Sequence, residues 1–298
     1  MKIVKKNKIE EILFTLKLSS KKSIHKFFEK VRDRNDIFVL KCKNTGVLFL
    51  SRTNHIGIKN YEKKKKFRYF GNNSRKQALK ETSEDTLRRK KFFKNNIKKK
   101  KWLDIGTGSG GILDALKNIS SKCHSVEPNK IMRGKLKQAG YKVFKSSKEA
   151  NKNYYDVITM FHVFEHLTDP IKELKDVKKL LKKNGVLIIE VPHANDFLIK
   201  SLNLKEFKNF TFWSEHLILH VKKSLNCFIK SAGFKIMKNV NVQRYSFINH
   251  LYWILKKKPK GHIEWKLFRF KFLEIIYEKF LSLINRTDTL VVYATKNN

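Results

Sequence analysis

Residues 101–116 read KWLDIGTGSGGILDAL, and how this stretch is read decides the fold. A short apolar run, Trp102 to Ile105, gives way to a glycine cluster and then to a segment with helical character, the order strand, turn, helix. Gly106, Gly108 and Gly110 spell G-x-G-x-G, whereas Gly106, Gly108 and Gly111 spell G-x-G-x-x-G. Both spacings place backbone N–H groups at a helix N-terminus, where an anion or a polar cofactor approaches closely.

Asp104 separates the two spacings. A dinucleotide lays a pyrophosphate in such a loop, and a carboxylate beside it repels that charge. A carboxylate at the strand end instead engages a cationic or hydroxylated ligand, which favours S-adenosylmethionine (SAM), a cofactor without phosphate. Glu127 follows Gly110 by 17 residues (127 minus 110), at the end of the next apolar run, KCHSVEP. A carboxylate there accepts both hydroxyls of a ribose and suits either cofactor; the bland alternative is a solvent-facing Glu before a helix.

Outward from the loop, short apolar runs alternate with amphipathic segments, as in a parallel α/β sheet. YKVFKS, YDVITMFH and GVLIIEVP supply a third, fourth and fifth strand, the last of them the most apolar and so expected in the interior. NKIMRGKLKQAG and DPIKELKDVKKLLKKNG are helices, with Pro128 and Pro170 near their starts and Gly140 and Gly185 expected at their ends. GFKIMKNVNV and TLVVYAT read as two last strands, with a helical, aromatic and basic insertion at about residues 245–286 between them. Ahead of the loop, residues 78–97 have helical character, with Leu87, Phe92 and Phe93 among charges. DIFVLKCKNTGVLFLS is a hairpin turning at Asn44-Thr45-Gly46. The lysine-rich stretch NYEKKKKFRYFGNNSRKQ is an exposed loop or helix margin. Residues 1–75 thus form an accessory region, and residues 76–298 the main domain.

The chain has 298 residues, enough for a substantial core. Its cysteines, Cys42, Cys123 and Cys227, are widely spaced and form neither a disulfide framework nor a C-x-x-C zinc signature. Glu10 and Glu11 interrupt any signal-peptide core, and no apolar run reaches membrane-span length, so a soluble cytoplasmic protein is expected. The formal net charge is +41, from 67 Lys and Arg against 26 Asp and Glu. Such a surface attracts polyanions, anionic headgroups or nucleotide-linked substrates. A lysine-rich composition also follows from an A/T-biased genome, so both sources stay open.

DIGTGSG, VEPN and FHVFEHLTDP, in this order and spacing, resemble the class I SAM-dependent methyltransferase family over about residues 100–195. The resemblance implies a Rossmann-like seven-stranded sheet whose last strand inserts antiparallel. It also implies that Asp104 and the glycines hold the methionine part of SAM, and Glu127 the ribose. The candidate cofactor-binding set is Asp104, Gly106, Thr107, Gly108, Gly110, Glu127, Met160, Phe161, His162 and Glu165. Near the adenine, where the family often has an acid, KSSKEANKNYYD offers serines. FWSEHLILHVKKSLNCFIKSAGFKI is similar to a branch acting on sugars and other small metabolites, some of which begin with a zinc ribbon. LKCKNTGVLFL resembles a ribbon knuckle that kept Cys42 and has Thr45 in place of the second Cys, so no zinc is expected.

Methyl transfer from a sulfonium needs alignment, and a base when the acceptor is a hydroxyl or carbon acid. Two Glu–His pairs stand out, Glu165-His166 and Glu215-His216, and the candidate catalytic residues are His166, Glu215 and His216. Adjacent residues rarely face each other, so the Glu of one pair is free to serve the His of the other. Together they also offer donors of the kind a divalent metal takes, though no metal is assigned. Alternatively, the first pair caps and orients its loop and the second is packed or solvent-facing.

The favoured acceptor is a small molecule or carbohydrate, such as a nucleotide-linked sugar, a surface-polysaccharide unit or a lipid-linked molecule. The N-terminal region and the 245–286 insertion are expected to wall its pocket, with Tyr245, Tyr252, Trp253 and Trp265 stacking on it or forming the insertion's own core. Related O-methyltransferases with the FEHL style of motif make a lipophilic quinone precursor an alternative. RNA is a third reading, but no Asn-Pro-Pro-aromatic motif, paired catalytic cysteines or RNA-binding module accompanies the charge, so no specific nucleic acid is expected. WKLFRFKFLEIIYEKFLSLI is basic and aromatic enough for peripheral contact with an anionic membrane.

Overall fold

The computed structural model describes residues 7–63 and 74–296. Its strands, in chain order, are β1 (Ile24–Phe28), β2 (Val39–Cys42), β3 (Leu48–Leu50), β4 (Lys101–Ile105), β5 (Lys122–Val126) and β6 (Lys142–Phe144). They continue with β7 (Tyr155–Phe161), β8 (Leu181–Pro192), β9 (Ile218–Leu219), β10 (Phe234–Val242) and β11 (Thr289–Lys296).

Seven of these form one sheet in the order β10-β11-β8-β7-β4-β5-β6. The pairs β4–β5, β4–β7, β5–β6 and β7–β8 are parallel, and β11 lies antiparallel to both β8 and β10. This is the expected Rossmann-like sheet with its last strand reversed. Period-two alternation divides the core between the two faces. In β8, Leu187 and Ile189 face one apolar cluster, while Ile188 faces the other with Trp102, Leu113 and Val291. The strand order reverses on either side of β4, and a crevice opens at such a point beyond the carboxyl ends of the strands.

A second, four-stranded sheet has the order β1-β2-β3-β9. The hairpin expected around Asn44-Thr45-Gly46 is β2–β3, paired Val39↔Leu50 and Lys41↔Leu48. Its outer partner β9 arrives from far down the chain, with Leu48↔Leu219 and Phe49↔Ile218. A helix at Lys8–Thr15, capped by Asn7, buries Ile9 and Leu13 in the apolar cluster that also holds Phe49 and Ile158. Cys42 is buried with its Sγ 3.5 Å from the Ser23 hydroxyl and 3.5 Å from the Leu18 carbonyl.

Two local expectations are corrected. The helical stretch 78–97 breaks at Thr82 into helices Arg75–Glu81 and Ser83–Ile97; Leu87 and Phe92 face solvent, and Phe93 and Ile97 are buried. Gly185 does not end a helix: that helix stops at Leu180, and Gly185 sits where the β7–β8 register shifts. A Cβ there would lie 3.0 Å from the backbone oxygens of Lys182 and Tyr155, so glycine is required by close backbone approach. The insertion between β10 and β11 is helical as expected, with helices Phe247–Lys256, Gly261–Glu264 and Lys271–Leu283. The lysine-rich stretch 60–77 lies largely outside the described residues.

Candidate active site

A cavity of about 590 Å³ opens beyond the carboxyl ends of β4, β5 and β7. Its floor is the glycine turn. Gly106 has φ +70°, and a Cβ there would lie 2.4 Å from Val163 Cγ2, so the turn packs directly on the loop after β7. Gly108 has φ +57°, and a Cβ there would meet nothing within 4 Å, because this glycine faces the cavity itself. Gly111 serves packing: a Cβ would strike the Thr86 hydroxyl of the preceding helix at 2.7 Å. Gly106 and Gly108, which both spacings share, are thus the glycines at the cavity, while Gly110 and Gly111 both serve packing, Gly110 against Leu136.

Glu127 lies at the same wall. Its carboxylate accepts the backbone N–H of Gly108 and of Asn129, each at 2.8 Å. Burial pushes its pKa up to about 7, against those two hydrogen bonds. Asp104 is placed differently. It stands behind the turn and accepts from the Thr159 hydroxyl at 2.5 Å, which in turn accepts from Trp102 Nε1 at 2.8 Å. Burial raises its pKa to about 6. Asp104 therefore supports the loop from beneath and does not line the cavity.

Of the residues picked from sequence, Gly106, Gly108, Glu127, His162, His166 and Glu215 line this one cavity. Thr107, Gly110, Met160, Phe161, Glu165 and His216 do not. Met160 and Phe161 alternate into opposite cores, the latter against Phe93. The wall beyond β6 carries Ser146 and Ser147, and also Glu149, whose carboxylate accepts the Lys145 N–H at 2.9 Å.

The two Glu–His pairs meet. Leu217 N–H donates to the Glu165 carbonyl at 2.9 Å, and His166 Nδ1 donates to the Glu215 carbonyl at 2.8 Å. A carbonyl only accepts, so the neutral ring of His166 carries its proton on Nδ1 and presents Nε2 as the basic nitrogen. That Nε2 lies 3.9 Å from Glu165 Oε1. The rings of His166 and His216 are 5.0 Å apart. One donor atom from each of Glu165, His166 and His216 falls within 4.8 Å of the others. Glu165 Oε2 and His216 Nδ1 have no hydrogen-bond partner among the described residues. Burial alone would push Glu165 up, but the His162 hydrogen bond and the neighbouring histidines outweigh it and hold it at about 2. Burial and the nearby His166 push His216 well below the usual imidazole range.

The N-terminal layer fixes the second pair. Asp33 accepts from the Ser214 N–H at 2.9 Å and from its hydroxyl at 2.7 Å. His55 Nε2 donates to the Ser214 carbonyl at 2.6 Å, and the Arg32 guanidinium lies 4.8 Å over the Trp213 ring. Gly57, Tyr61 and Glu62 close one wall and Trp213 another.

The N-terminal region thus walls the cavity as expected, but the insertion does not. None of Tyr245, Tyr252, Trp253 and Trp265 is in the lining. Trp253 packs on Phe207 and Phe210 of the helix Lys205–Thr211, and Trp265 on Tyr252 within the insertion, so this apolar area is spent away from the cavity.

One group was missed from sequence. Glu190, in the apolar run of β8, is fully buried and accepts from Arg88 (2.9 Å on each oxygen) and from Arg89 (2.9 and 2.6 Å). Burial would raise its pKa, yet the two guanidiniums outweigh that and hold it well below the usual carboxylate range. His162 bridges this clamp to the site, with Nδ1 3.1 Å from Glu165 Oε1 and Nε2 3.4 Å from Glu190 Oε1. Its φ of +55° is left-handed, a conformation seldom taken by a residue with a side chain. A lone acid within LIIEV was the available signal, since a buried charge must have a partner.

A sequence model described as Methyltransferase domain matches residues 76–239. A ubiquinone biosynthesis O-methyltransferase of Pelagibacter ubique (strain HTCC1062) is 30% identical over 102 residues, covering 31% of this chain and 42% of that protein. The same-named protein of Shewanella sp. (strain ANA-3) is 24% identical over 129 residues, 40% of this chain and 51% of that one. The match thus spans about half the length of these curated relatives. Among solved structures, a SAM-dependent methyltransferase from Archaeoglobus fulgidus superposes with TM-score 0.50 and 20% identity, over 75% of this chain and 95% of that one. A chain from the complex of the Haloferax volcanii Trm112 methyltransferase activator with a methyltransferase gives TM-score 0.52 and 13% identity, over 74% and 95%.

Proposed function

The chain belongs to the methyltransferase-domain family, and on that premise we propose that it is a SAM-dependent enzyme that methylates a hydroxyl oxygen of a small acceptor, with His166 as the base. The observation that carries the reading is the bond from His166 Nδ1 to the Glu215 carbonyl, which leaves Nε2 as the basic nitrogen at the cavity wall.

The residues fit SAM. Gly108 leaves open space where a Cβ would stand, and both Glu127 oxygens lie at the wall with lone pairs to spare for a diol. SAM supplies a methyl group on a good leaving group, so this chain has to align the acceptor and take up its proton. Gly106, Gly108 and Glu127 hold the cofactor side, and Asp104 holds the loop from behind. Tyr61, Trp213 and Glu215 bound the acceptor side. As the new O–C bond forms, the acceptor proton passes to His166 Nε2, and the Glu165 carboxylate at 3.9 Å stabilises the resulting imidazolium.

The name O-methyltransferase carried by the curated relatives supports oxygen as the atom, and their part in ubiquinone biosynthesis supports a hydroxylated ring. A sugar hydroxyl presents the same group and is the other acceptor class. Purified protein incubated with methyl-labelled SAM and a cell extract, with and without ribonuclease, tests the reading. Label in a low-mass, glycan or organic-phase product that resists mild base supports it, and the fraction separates sugar from lipophilic ring. Label that disappears with ribonuclease overturns it. Activity lost to a chelator and restored by a divalent cation would move the role from a His166 base to a bound metal.

A further inference from the structure

We infer that the insertion between β10 and β11 is a docking surface for an anionic lipid bilayer. This goes beyond the acceptor reading and stands or falls without it.

Residues 254–284 expose apolar side chains on a scale that one domain rarely leaves to water. Leu267 is 94% exposed, Leu283 86% and Phe272 72%, and Phe268, Phe270 and Ile276 are exposed beside them. The helix Lys271–Leu283 shows why this is more than an ordinary amphipathic face. Its inward side is already supplied: Leu281 is buried, Tyr277 meets His250, and Glu274 accepts the Phe247 N–H at 3.0 Å. Phe272, Ile275 and Leu283 nevertheless point the other way, at positions roughly opposite Tyr277 on a 3.6-residue turn, with the exposed Ile276 on the flank beside them. A helix apolar on the face turned to solvent is covered by something in use.

Charge identifies the cover. The same 31 residues (254 to 284) carry eight Lys or Arg against three Glu. Lys266, Lys271 and Lys279 are exposed among the apolar groups, Lys279 within the outward face itself. A dry protein interface would have to desolvate those ammonium groups, whereas at a bilayer surface lysine stems lie along apolar groups and the charges reach anionic headgroups. A second copy is disfavoured because each chain carries a formal +41. The helix has 13 residues, and no helix among the described residues is long and apolar enough to cross a membrane, so the surface lies on the bilayer. The insertion leaves β10 beyond Val242, which pairs with Thr289, and Thr289 pairs with Pro192 at the carboxyl end of β8. Docking therefore brings the cavity's end of the sheet toward the lipid.

The experiment is vesicle sedimentation at about 0.15 M salt, with pure phosphatidylcholine and with a quarter phosphatidylglycerol. The wild-type protein should pellet with the anionic vesicles and remain soluble with the neutral ones. The variant Phe272→Ser/Ile276→Ser/Leu283→Ser should bind about tenfold more weakly, while its SAM affinity in calorimetry, the check on folding, stays the same. Lys271→Glu/Lys279→Glu, outside any core, should weaken binding in the same direction. Apolar variants that pellet like wild type would overturn the proposal, because the overall charge alone would then suffice. So would a wild-type protein that ignores both vesicles, or one found by light scattering to be an oligomer that the serine variant dissociates.

Discussion

His166 donates from Nδ1 to the backbone carbonyl of Glu215 across 2.8 Å, so the two Glu–His pairs, 49 residues apart in the chain, form one centre. His166→Ala should lower turnover by about 10²–10⁴-fold, the range for removing a general base, with SAM affinity nearly unchanged. Turnover would be followed with methyl-labelled SAM on the acceptor fraction, and binding by calorimetry. A parallel loss of SAM affinity would make His166 a cofactor ligand instead.

Asp33 holds Ser214 by two hydrogen bonds from an exposed position, so its removal should disturb the site more than the fold. Asp33→Ala is expected to cost about 1 kcal/mol in thermal unfolding while turnover drops well beyond that. Asp33→Asn, which keeps an acceptor for one of the bonds, should recover part of it. Equal turnover in Asp33→Ala and wild type would dissociate the N-terminal layer from catalysis.

The two loop glycines should fail differently. Gly106→Ala meets Val163 at 2.4 Å and should destabilise the fold itself. Gly108→Ala meets nothing within 4 Å and pays only for its left-handed backbone, about 1–2 kcal/mol. The Gly108→Ala protein should therefore melt as a folded domain yet gain no thermal stabilisation from SAM. Normal SAM stabilisation in that variant would remove the cofactor from this turn.

Glu127 and Asp104 set a pH dependence whose sign is fixed. Their folded pKa values, about 7 and about 6, lie above ordinary carboxylates because of burial. Between about pH 4 and 7 the folded state keeps protons that the unfolded state has released, so the ligand-free protein loses stability as pH rises through that window. SAM, a cation with ribose hydroxyls to donate, favours the carboxylates, so its affinity should rise from pH 6 to 8. Glu127→Gln should flatten most of that rise and weaken binding by about 10–100-fold. Calorimetry in buffers of different ionisation enthalpy checks it, and a SAM affinity independent of pH would contradict it.

The clamp on Glu190 is a stability element with one link to the site. Glu190→Gln removes the buried carboxylate that Arg88 and Arg89 share, leaving Arg88 only Asp85 at 3.4 Å, and should cost about 3–5 kcal/mol. Denaturant unfolding with and without SAM measures it. A change below 1 kcal/mol would mean the guanidiniums reach water.

Much of this protein is written in local order. The strand, glycine turn and helix of residues 101–116, the acid at Glu127 and the alternating apolar runs each depend on neighbours a few residues away. Strand and helix periodicity and the backbone demands of a tight turn act over that distance. These features pointed to the class of fold and, only through the family resemblance they carry, to the reversed last strand and the cofactor. Both Glu–His pairs were also visible as chemistry.

What joined them was decided only in three dimensions. Their contact depends on β9 pairing with β3, some 170 residues away, and on Asp33 and His55 gripping Ser214, relationships with no trace in local spacing. The same holds for Glu190, whose charge is tolerated because a distant helix delivers two arginines, and for Asp104, turned beneath its loop by Thr159. The insertion shows the reverse: its aromatic, basic composition suggested a pocket wall, but packing committed its tryptophans inward and left Phe268, Phe270, Phe272 and Phe280 outward. Which of two apolar faces a helix buries depends on what the rest of the chain brings against it, and that is a property of the folded whole.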